Sequence, residues 1–231
     1  MPPTGDLIYA SEYSVIDNIV NGIRLRGMIR AIEKTRRAPQ LQPSERREQL
    51  MDCALAVFAE RGIGGARHAR IAQVAGVATP TVFTYFPTRD DLVASVLAEV
   101  HRRTVGMLRE RAATAATARG KLEAILAAVV EFAAAGPDVL KVYLDWTTSS
   151  DGAVRTQFLT SLEETLDVFR AIVRAGAGGG EFKPSIDVED AAHFIFGACH
   201  MIAQMNFLGS PRHRIRMFAA TMAEAVFAMG A

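Results

Sequence analysis

Apolar residues recur along most of this chain with the three- and four-residue spacing of amphipathic helices. The first clear helix is predicted to follow Pro43, and its apolar face carries Leu50, Met51, Ala54, Leu55 and Phe58. Glycines and prolines separate it from further predicted helices at about 68–75, 79–85, 88–113, 118–135, 137–150, 151–176, 187–208 and 211–229. Because no stretch shows the alternation of a strand, the pattern predicts an all-α fold with a small N-terminal bundle and a larger C-terminal one.

Residues that can cap a helix mark several of the predicted starts. A side-chain oxygen at the cap accepts a hydrogen bond from a backbone N–H that the helix leaves unpaired. The predicted caps are Ser44, Thr88 with Asp91 in a capping-box arrangement, Asp187 with Asp190, and Ser210 followed by Pro211. Gly62, Gly64 and Gly65 are predicted to end the first helix.

Charge is distributed unevenly along the 231 residues, although the net charge is only +1. Residues 24–103 carry 14 Lys or Arg against 8 Asp or Glu, whereas residues 104–231 carry 12 against 14. A basic N-terminal segment on a mildly acidic body is expected of a protein that binds a polyanion at one end. An ordinary solvated surface explains the same asymmetry equally well.

Cysteine usage and hydropathy favour the cytoplasm. Cys53 and Cys199 are far apart in the sequence, so a disulfide framework is not expected. No apolar run approaches the roughly 18 residues of a membrane span. The N-terminus also lacks the basic segment and apolar block of a signal peptide.

The stretch IAQVAGVATPTVFTYFPTRDDL, residues 71–92, contains two short predicted helices joined by a turn at Gly76. This is the arrangement of a helix-turn-helix, whose second helix enters the major groove of DNA. We predict that Val82, Phe83 and Phe86 face inward and brace the second helix. The outward positions are then Thr79, Pro80, Thr81, Thr84 and Tyr85.

Residues 46–95 resemble the DNA-binding domain of TetR-type transcriptional regulators. The resemblance rests on Ile71-Ala72, Ala75-Gly76-Val77, Thr81, Tyr85-Phe86-Pro87 and Leu92. The segments VFAERGIGGARHARIAQVA, TVFTYFPTRDDLV and LKVYLDW are further similar to one subgroup, the quorum-sensing master regulators of marine vibrios. The chain is accordingly predicted to consist of a disordered tail (1–35), an arm with the helix-turn-helix domain (36–92), and a domain for ligand binding and dimerisation (93–231).

The resemblance implies a homodimer that places one recognition helix per subunit in successive major grooves of a near-palindromic operator. The predicted DNA-binding residues are Arg36 and Arg37 at the minor groove, Arg46, Arg47, Thr81, Tyr85 and Arg89 at phosphates, and the outward-facing Thr79 and Thr84. Thr84 stands where the vibrio subgroup has Asn, so the bases that the protein prefers should differ. Thr84 itself is either a base contact or a solvated side chain. No Lys or Arg lies between Ile71 and Thr88, so affinity should depend on the arm and on flanking phosphates.

The last two predicted helices carry wide apolar faces, which predict a four-helix interface with the same pair of a second subunit. The predicted interface residues are Phe194, Ile195, Ala198, Ile202, Met205, Phe218, Met222 and Val226. The alternative is burial within one chain.

The resemblance also implies a cavity in the C-terminal domain. The positions that match its lining are Tyr143, Trp146, Phe158, Leu162, Leu166 and Cys199. Leu162 and Leu166 replace polar amides of the vibrio subgroup, so an apolar small molecule is expected to bind there, unless this set is simply core.

We predict no enzyme activity, cofactor or metal, because the chain lacks a phosphate-binding loop and any defensible catalytic arrangement. Glu189, His193 and His200 have ligand-like spacing, but they are expected to be interface residues. The leading hypothesis is a DNA-binding transcriptional regulator of the quorum-sensing type. The alternative is a local repressor released by an apolar small molecule. A distant alternative is a small enzyme that uses Tyr143, Cys199 and His200.

Overall fold

The computed structural model describes residues 41–183 and 185–229, so the predictions for the tail at 1–35 and for Arg36 and Arg37 lie outside the described residues. Every regular element in these residues is an α-helix, as the hydrophobic pattern predicts. The helices are α1 (Pro43–Gly65), α2 (His68–Ala75), α3 (Thr79–Tyr85), α4 (Arg89–Ala112), α5 (Ala118–Ala135), α6 (Pro137–Thr147), α7 (Gly152–Gly178), α8 (Val188–Phe207) and α9 (Arg212–Ala228).

Two of the predicted caps are confirmed. The Thr88 hydroxyl accepts a hydrogen bond from the Asp91 backbone N–H at 3.0 Å, and the Asp91 carboxylate accepts one from the Thr88 N–H at 3.1 Å. The carboxylate of Asp187 accepts a hydrogen bond from the Asp190 N–H at 2.9 Å. Both pairs satisfy backbone donors at helix starts, so they fix where α4 and α8 begin.

The other two predicted caps are wrong. α1 already begins at Pro43, so Ser44 lies inside it, and the Glu45 carboxylate accepts a hydrogen bond from the Gln42 N–H at 2.9 Å. α9 begins at Arg212, with Pro211 in the cap position and no side-chain cap. Ser210 instead donates its backbone N–H to the Met205 carbonyl at 3.0 Å, so it belongs to the end of α8.

Gly62 interrupts α1 near its end. Its φ of 72° and ψ of 167° are outside the helical region, and only glycine adopts them readily. The helical hydrogen bonding continues to Gly65, so the predicted stop is a kink followed by one further turn. The kink turns the Ile63 backbone N–H away from the helix and leaves it available to a distant side chain.

The N-terminal core joins α1 to α4 with part of the C-terminal half. Leu50, Phe58, Ile71 and Leu97 are fully buried in it. α6 adds three more buried side chains, Val139, Val142 and Trp146. One face of α6 is therefore part of the support on which the helix-turn-helix rests.

The second core lies among α5, α7, α8 and α9. Its fully buried members include Leu122, Ile125, Leu166, Phe169 and Ile202. Leu108, near the end of α4, also packs into this core, whereas Leu92 to Val100 of the same helix pack into the first. Among the described residues, no helix combines the length and apolar character that a membrane span requires.

Candidate nucleic-acid interface and internal cavity

Two buried apolar side chains, Val82 and Phe86, attach α3 to the N-terminal core. Val82 lies on α3 and Phe86 directly follows that helix, and neither side chain has exposed surface. The turn before α3 is closed by Gly76 in the left-handed conformation (φ 67°) and by a hydrogen bond from the Val77 N–H to the Ala72 carbonyl at 3.0 Å. α2 and α3 therefore meet at a fixed angle.

The outer face of α3 carries the residues that were predicted to point outward, with different degrees of exposure. Pro80 and Thr84 are exposed, whereas Thr79, Thr81 and Tyr85 are partly buried. The Thr84 hydroxyl donates to the Pro80 carbonyl at 3.1 Å, so its oxygen lone pairs remain free to accept a hydrogen bond. Tyr85 packs against the N-terminal core, so only part of its side chain faces solvent.

The prediction that Phe83 faces inward is wrong, because its side chain is 45 % exposed. A residue next to Val82 lies about 100° further round the helix, so it cannot share the inward face with Val82 and Phe86. The inner side of its ring stacks on the imidazole of His68, with ring centroids 4.1 Å apart. His68 was not singled out in the sequence, although it is buried and its Nε2 lies 2.8 Å from the Phe86 carbonyl oxygen.

The predicted phosphate-binding arginines of the described residues lie on α1 and at the start of α4. Arg46 donates to the side-chain oxygen of Gln49 at 2.6 Å, and the guanidinium of Arg47 lies 5.9 Å from the centroid of the Phe86 ring. Arg89 donates to the carbonyls of Ile63 and Gly64 at 2.8 and 3.1 Å. Arg89 thus stabilises the turn after the kink, and the phosphate contact proposed for it would use its remaining donors.

A hydrogen bond links the same turn to the C-terminal half. The Ile63 N–H donates to the carboxylate of Asp145 at 2.7 Å, and Asp145 lies on α6. A Cβ on Gly62 would approach the same carboxylate oxygen to 3.3 Å. Residues 82 positions apart are thus held together by one charge-assisted contact, which the local sequence pattern did not indicate.

An internal cavity of about 50 Å³ lies among α4, α5, α6, α7 and α8. Its lining residues are Thr104, Met107, Leu108, Val129, Phe132, Leu140, Tyr143, Thr165, Phe169, Phe196, Cys199, His200 and Ala203. None of these side chains carries a full charge at neutral pH when His200 is neutral. Of the six predicted lining residues, two are present, Tyr143 and Cys199.

The other four predicted lining residues belong to the cores. Trp146 is buried in the N-terminal core, where its indole N–H donates to the Val154 carbonyl at 2.9 Å. Phe158 packs edge-on against Trp146, with ring centroids 5.8 Å apart. Leu162 and Leu166 pack in the C-terminal core. Trp146 lies three residues after Tyr143 on the same side of α6, and Tyr143 contacts both the cavity and the N-terminal core.

Burial sets the protonation of the cavity's polar groups. It raises the pKa of the Tyr143 hydroxyl well above its ordinary value, and it raises the pKa of the Cys199 thiol to about 12. It lowers the pKa of His200, so this imidazole is neutral at pH 7. The Nδ1 atom of His200 is buried and has no hydrogen-bond partner within the described residues.

Half of the predicted dimer interface is instead buried within the subunit. Ile195, Ala198, Ile202 and Val226 lie in the C-terminal core, since they share the inward faces of α8 and α9. Phe194, Met205, Phe218 and Met222 are partly exposed, so their role stays a prediction. Other large apolar side chains are exposed, namely Met201 and Phe207 on α8, Leu208 directly after it, and Met217 on α9.

Of the two histidines considered as metal ligands, His193 has a backbone partner. His193 Nδ1 lies 2.8 Å from the Glu189 carbonyl oxygen, and the Glu189 carboxylate accepts hydrogen bonds from Arg170. In the part of the chain that the structure describes, no three His, Cys, Asp or Glu side chains lie close enough to hold a metal ion.

A short, partly exposed second helix joined by a tight turn to a first helix that packs into the core is the geometry of a helix-turn-helix DNA-binding protein. The model of bacterial regulatory proteins of the tetR family matches residues 50–96, and that of the tetracyclin repressor-like C-terminal domain matches residues 115–204. The chain therefore belongs to the TetR family of DNA-binding transcriptional regulators.

The relatives agree with this assignment. The chain is 35 % identical to the HTH-type transcriptional regulator LuxR of Vibrio harveyi over 71 % of this chain and 80 % of that protein. It is 28 % identical to the fatty acid metabolism regulator protein of Bacillus subtilis over 64 % of this chain and 77 % of that one. The crystal structure of FadR from Bacillus subtilis in complex with stearoyl-CoA has the same fold, with a TM-score of 0.69 and 24 % identity over 78 % of this chain and 97 % of that chain.

Proposed function

We propose that this regulator binds its operator as a homodimer, with α3 of each subunit in a major groove. The contacts to bases and phosphates are assigned to Thr79, Thr81, Thr84 and Tyr85 on α3, to Arg46, Arg47 and Arg89 beside it, and to Arg36 and Arg37 of the arm. The observation that carries the proposal is the burial of Val82 and Phe86, which holds α3 rigid while Pro80 and Thr84 remain exposed. Its site of action is the chromosome in the cytoplasm.

The test measures the affinity of the purified full chain for the strongest site that it selects from a random duplex pool. Thr84→Ala should weaken binding to this site by at least about fivefold, because the dimer loses one hydrogen bond in each half-site at about 0.5–1.5 kcal/mol each. Thr160→Ala is the matched control, because Thr160 is also an exposed helical threonine that donates to a carbonyl four residues earlier. Equal affinities of the two variants would remove Thr84 from the contacts with DNA.

Tyr85→Phe tests the tyrosine without removing its packing. Tyr85 contacts the N-terminal core, so an alanine there would lower both stability and DNA affinity and would confuse the two. The phenylalanine deletes only the hydroxyl. We expect an unchanged melting temperature and a weaker operator complex, because one phosphate contact is lost.

The subunit contact is assigned to the outward faces of α8 and α9. Met201, Leu208 and Met217 are exposed large apolar side chains, and TetR-family regulators bind DNA as dimers. Contiguous exposed apolar patches mark interaction sites, so a second copy of the pair α8 and α9 is the proposed cover of these side chains.

The cavity favours a global regulator of the quorum-sensing type over a repressor that waits for a large inducer. A cavity of about 50 Å³ is far below the roughly 300–1,000 Å³ of most ligand sites, so the C-terminal domain is well packed without a ligand. The similarity to LuxR of Vibrio harveyi also supports a global regulator. Its identity and coverage are higher than those of the fatty acid metabolism regulator protein of Bacillus subtilis.

A local repressor released by a small molecule is the second candidate, and the unpartnered Nδ1 of His200 is the observation that favours it. A neutral, largely apolar molecule with one hydrogen-bonding group would satisfy this atom. Dodecanol and oleoyl-CoA are suitable probes, because one is neutral and the other carries a large charged head. Loss of operator affinity with either probe would support the repressor, whereas unchanged affinity with both supports the global regulator. Neither candidate assigns a catalytic step to the cavity, because its lining provides no carboxylate to act with the neutral His200.

A further inference from the structure

The Phe83 ring is the largest apolar group on the outer face of α3, and it is held in place. Its inner side lies parallel to the His68 imidazole, at an interplanar angle of 4°. His68 is fixed in turn, since it is buried and lies within hydrogen-bond distance of the Phe86 carbonyl. The rest of the Phe83 ring, 45 % of the side chain's surface, is open to solvent.

The surroundings of the ring contain little that could recognise a base by charge. Pro80 lies three residues earlier on the same side of α3, and Thr84 is the adjacent polar residue. No Lys or Arg lies between Ile71 and Thr88, so the bidentate contact by which a cation recognises guanine has no donor on this helix. The exposed face of α3 is therefore mainly apolar, with hydroxyl groups beside it.

Thymine is the base that presents a methyl group in the major groove, and phenylalanine is among the side chains that contact it. We propose that Phe83 recognises the C5-methyl group of one thymine in each half-site, so that an A·T pair at this position is part of the operator. This inference rests on the proposed placement of α3 in the major groove. It gives Phe83 a role in specificity, in place of the bracing role that the sequence predicts.

The magnitude follows from the burial of one methyl group. Removing it should weaken binding about fourfold for one half-site and about 15-fold when both half-sites are changed together. Stacking on His68 favours this contact, because a ring that is already fixed loses little conformational freedom on binding.

The experiment replaces thymines of the selected duplex with deoxyuridine, which lacks only the methyl group. Each symmetric pair of thymines is replaced in turn, and the affinity of the full-length wild-type chain is measured at one fixed salt concentration. We expect one pair whose replacement weakens binding by about 15-fold, with smaller effects elsewhere. This measurement requires no protein variant, so a folding defect cannot affect it.

Phe83→Ala then identifies the residue responsible. It should bind the thymine and deoxyuridine duplexes equally at the sensitive pair, whereas Phe83→Leu should retain part of the difference because it keeps an apolar side chain. Thr84→Ala is the matched control on the adjacent position, and it should weaken both duplexes while preserving their ratio. Circular dichroism and melting curves show whether each variant is folded.

The outcomes separate this inference from the proposed function. A chain that binds no duplex at low salt would contradict the placement of α3 itself. A chain that selects a site but shows no methyl-sensitive pair would overturn the role of Phe83 alone. The role of Phe83 is also overturned if deoxyuridine weakens binding equally for wild type and Phe83→Ala at every replaced pair of thymines.

Discussion

The hydrogen bond between the Ile63 N–H and the Asp145 carboxylate supports a quantitative prediction about the contact between the two halves of the subunit. Its length is 2.7 Å, and it joins the turn after the α1 kink to the helix α6 that lines the cavity. Asp145→Ala would leave the Ile63 N–H without its acceptor, because the backbone there is not in a continuous helix. Asp145→Asn would keep an acceptor oxygen and remove the charge.

The expected losses differ between the two variants. A hydrogen bond to a charged group contributes about 1.5–3 kcal/mol, and a neutral one about 0.5–1.5 kcal/mol. Because Asp145 is exposed, water replaces part of the lost contact, so we expect Asp145→Ala to lower the free energy of unfolding by about 1.5 kcal/mol. For a domain of this size that corresponds to a fall in melting temperature of roughly 3–6 °C.

The assay is thermal unfolding followed by circular dichroism at one protein concentration, since dimer formation makes the melting temperature concentration-dependent. Asp145→Asn should lie between wild type and Asp145→Ala. Glu131→Ala is the control, because it also removes an exposed carboxylate from a helix, here α5. It should change the free energy of unfolding by less than about 0.5 kcal/mol. An alanine variant as stable as wild type, or an asparagine variant as unstable as the alanine one, would refute the reasoning.

Further variants test the packing of Phe86, the proposed phosphate and subunit contacts, and the Cys199 thiol. Phe86→Ala should lower the free energy of unfolding by about 3–5 kcal/mol and abolish DNA binding, because Phe86 is fully buried beneath α3; a stable variant by chemical unfolding would contradict this. Arg47→Ala should reduce the slope of log affinity against log salt by about 1.8, since a dimer loses two phosphate contacts at about 0.9 each; an unchanged slope would remove Arg47 from the interface. Met217→Asp should yield folded monomers in analytical ultracentrifugation, because it places a charge on the exposed face of α9, and a persistent dimer would place the contact elsewhere. Cys199 should be alkylated far more slowly in the folded than in the unfolded chain at pH 8.5, because its pKa near 12 keeps the folded thiol protonated, and equal rates measured by mass spectrometry would show an accessible thiolate.

The sequence predicted the helices better than it predicted their faces. Periodicity together with glycine and proline positions located α2 and α3 with the bounds that the structure has. A helix of seven residues has too few turns to distinguish one inward triplet from another, so Phe83 was placed on the wrong side. The burial of His68 and its contact with the Phe86 carbonyl decide the orientation, and both depend on residues 18 positions apart.

The dimer and cavity residues show a second limit. α8 is apolar on both faces, and periodicity alone does not tell which face meets the subunit's own core. Ile202 and Met201 are neighbours in sequence, yet one is fully buried and the other 45 % exposed. Similarly, Tyr143 and Trp146 are three residues apart on α6. Tyr143 reaches the cavity and Trp146 is buried in the N-terminal core, because different neighbouring helices pack against the two residues.

Helix α4 links these parts mechanically. It contains 24 residues, which gives a length of about 36 Å, and it packs into the N-terminal core at one end and beside the cavity at the other. A straight rod of that length turns a tilt of about 3° at one end into a displacement of roughly 2 Å at the other. Under the proposed placement of α3, a tilt of α4 by that angle would therefore change the distance between the recognition helices of the two subunits.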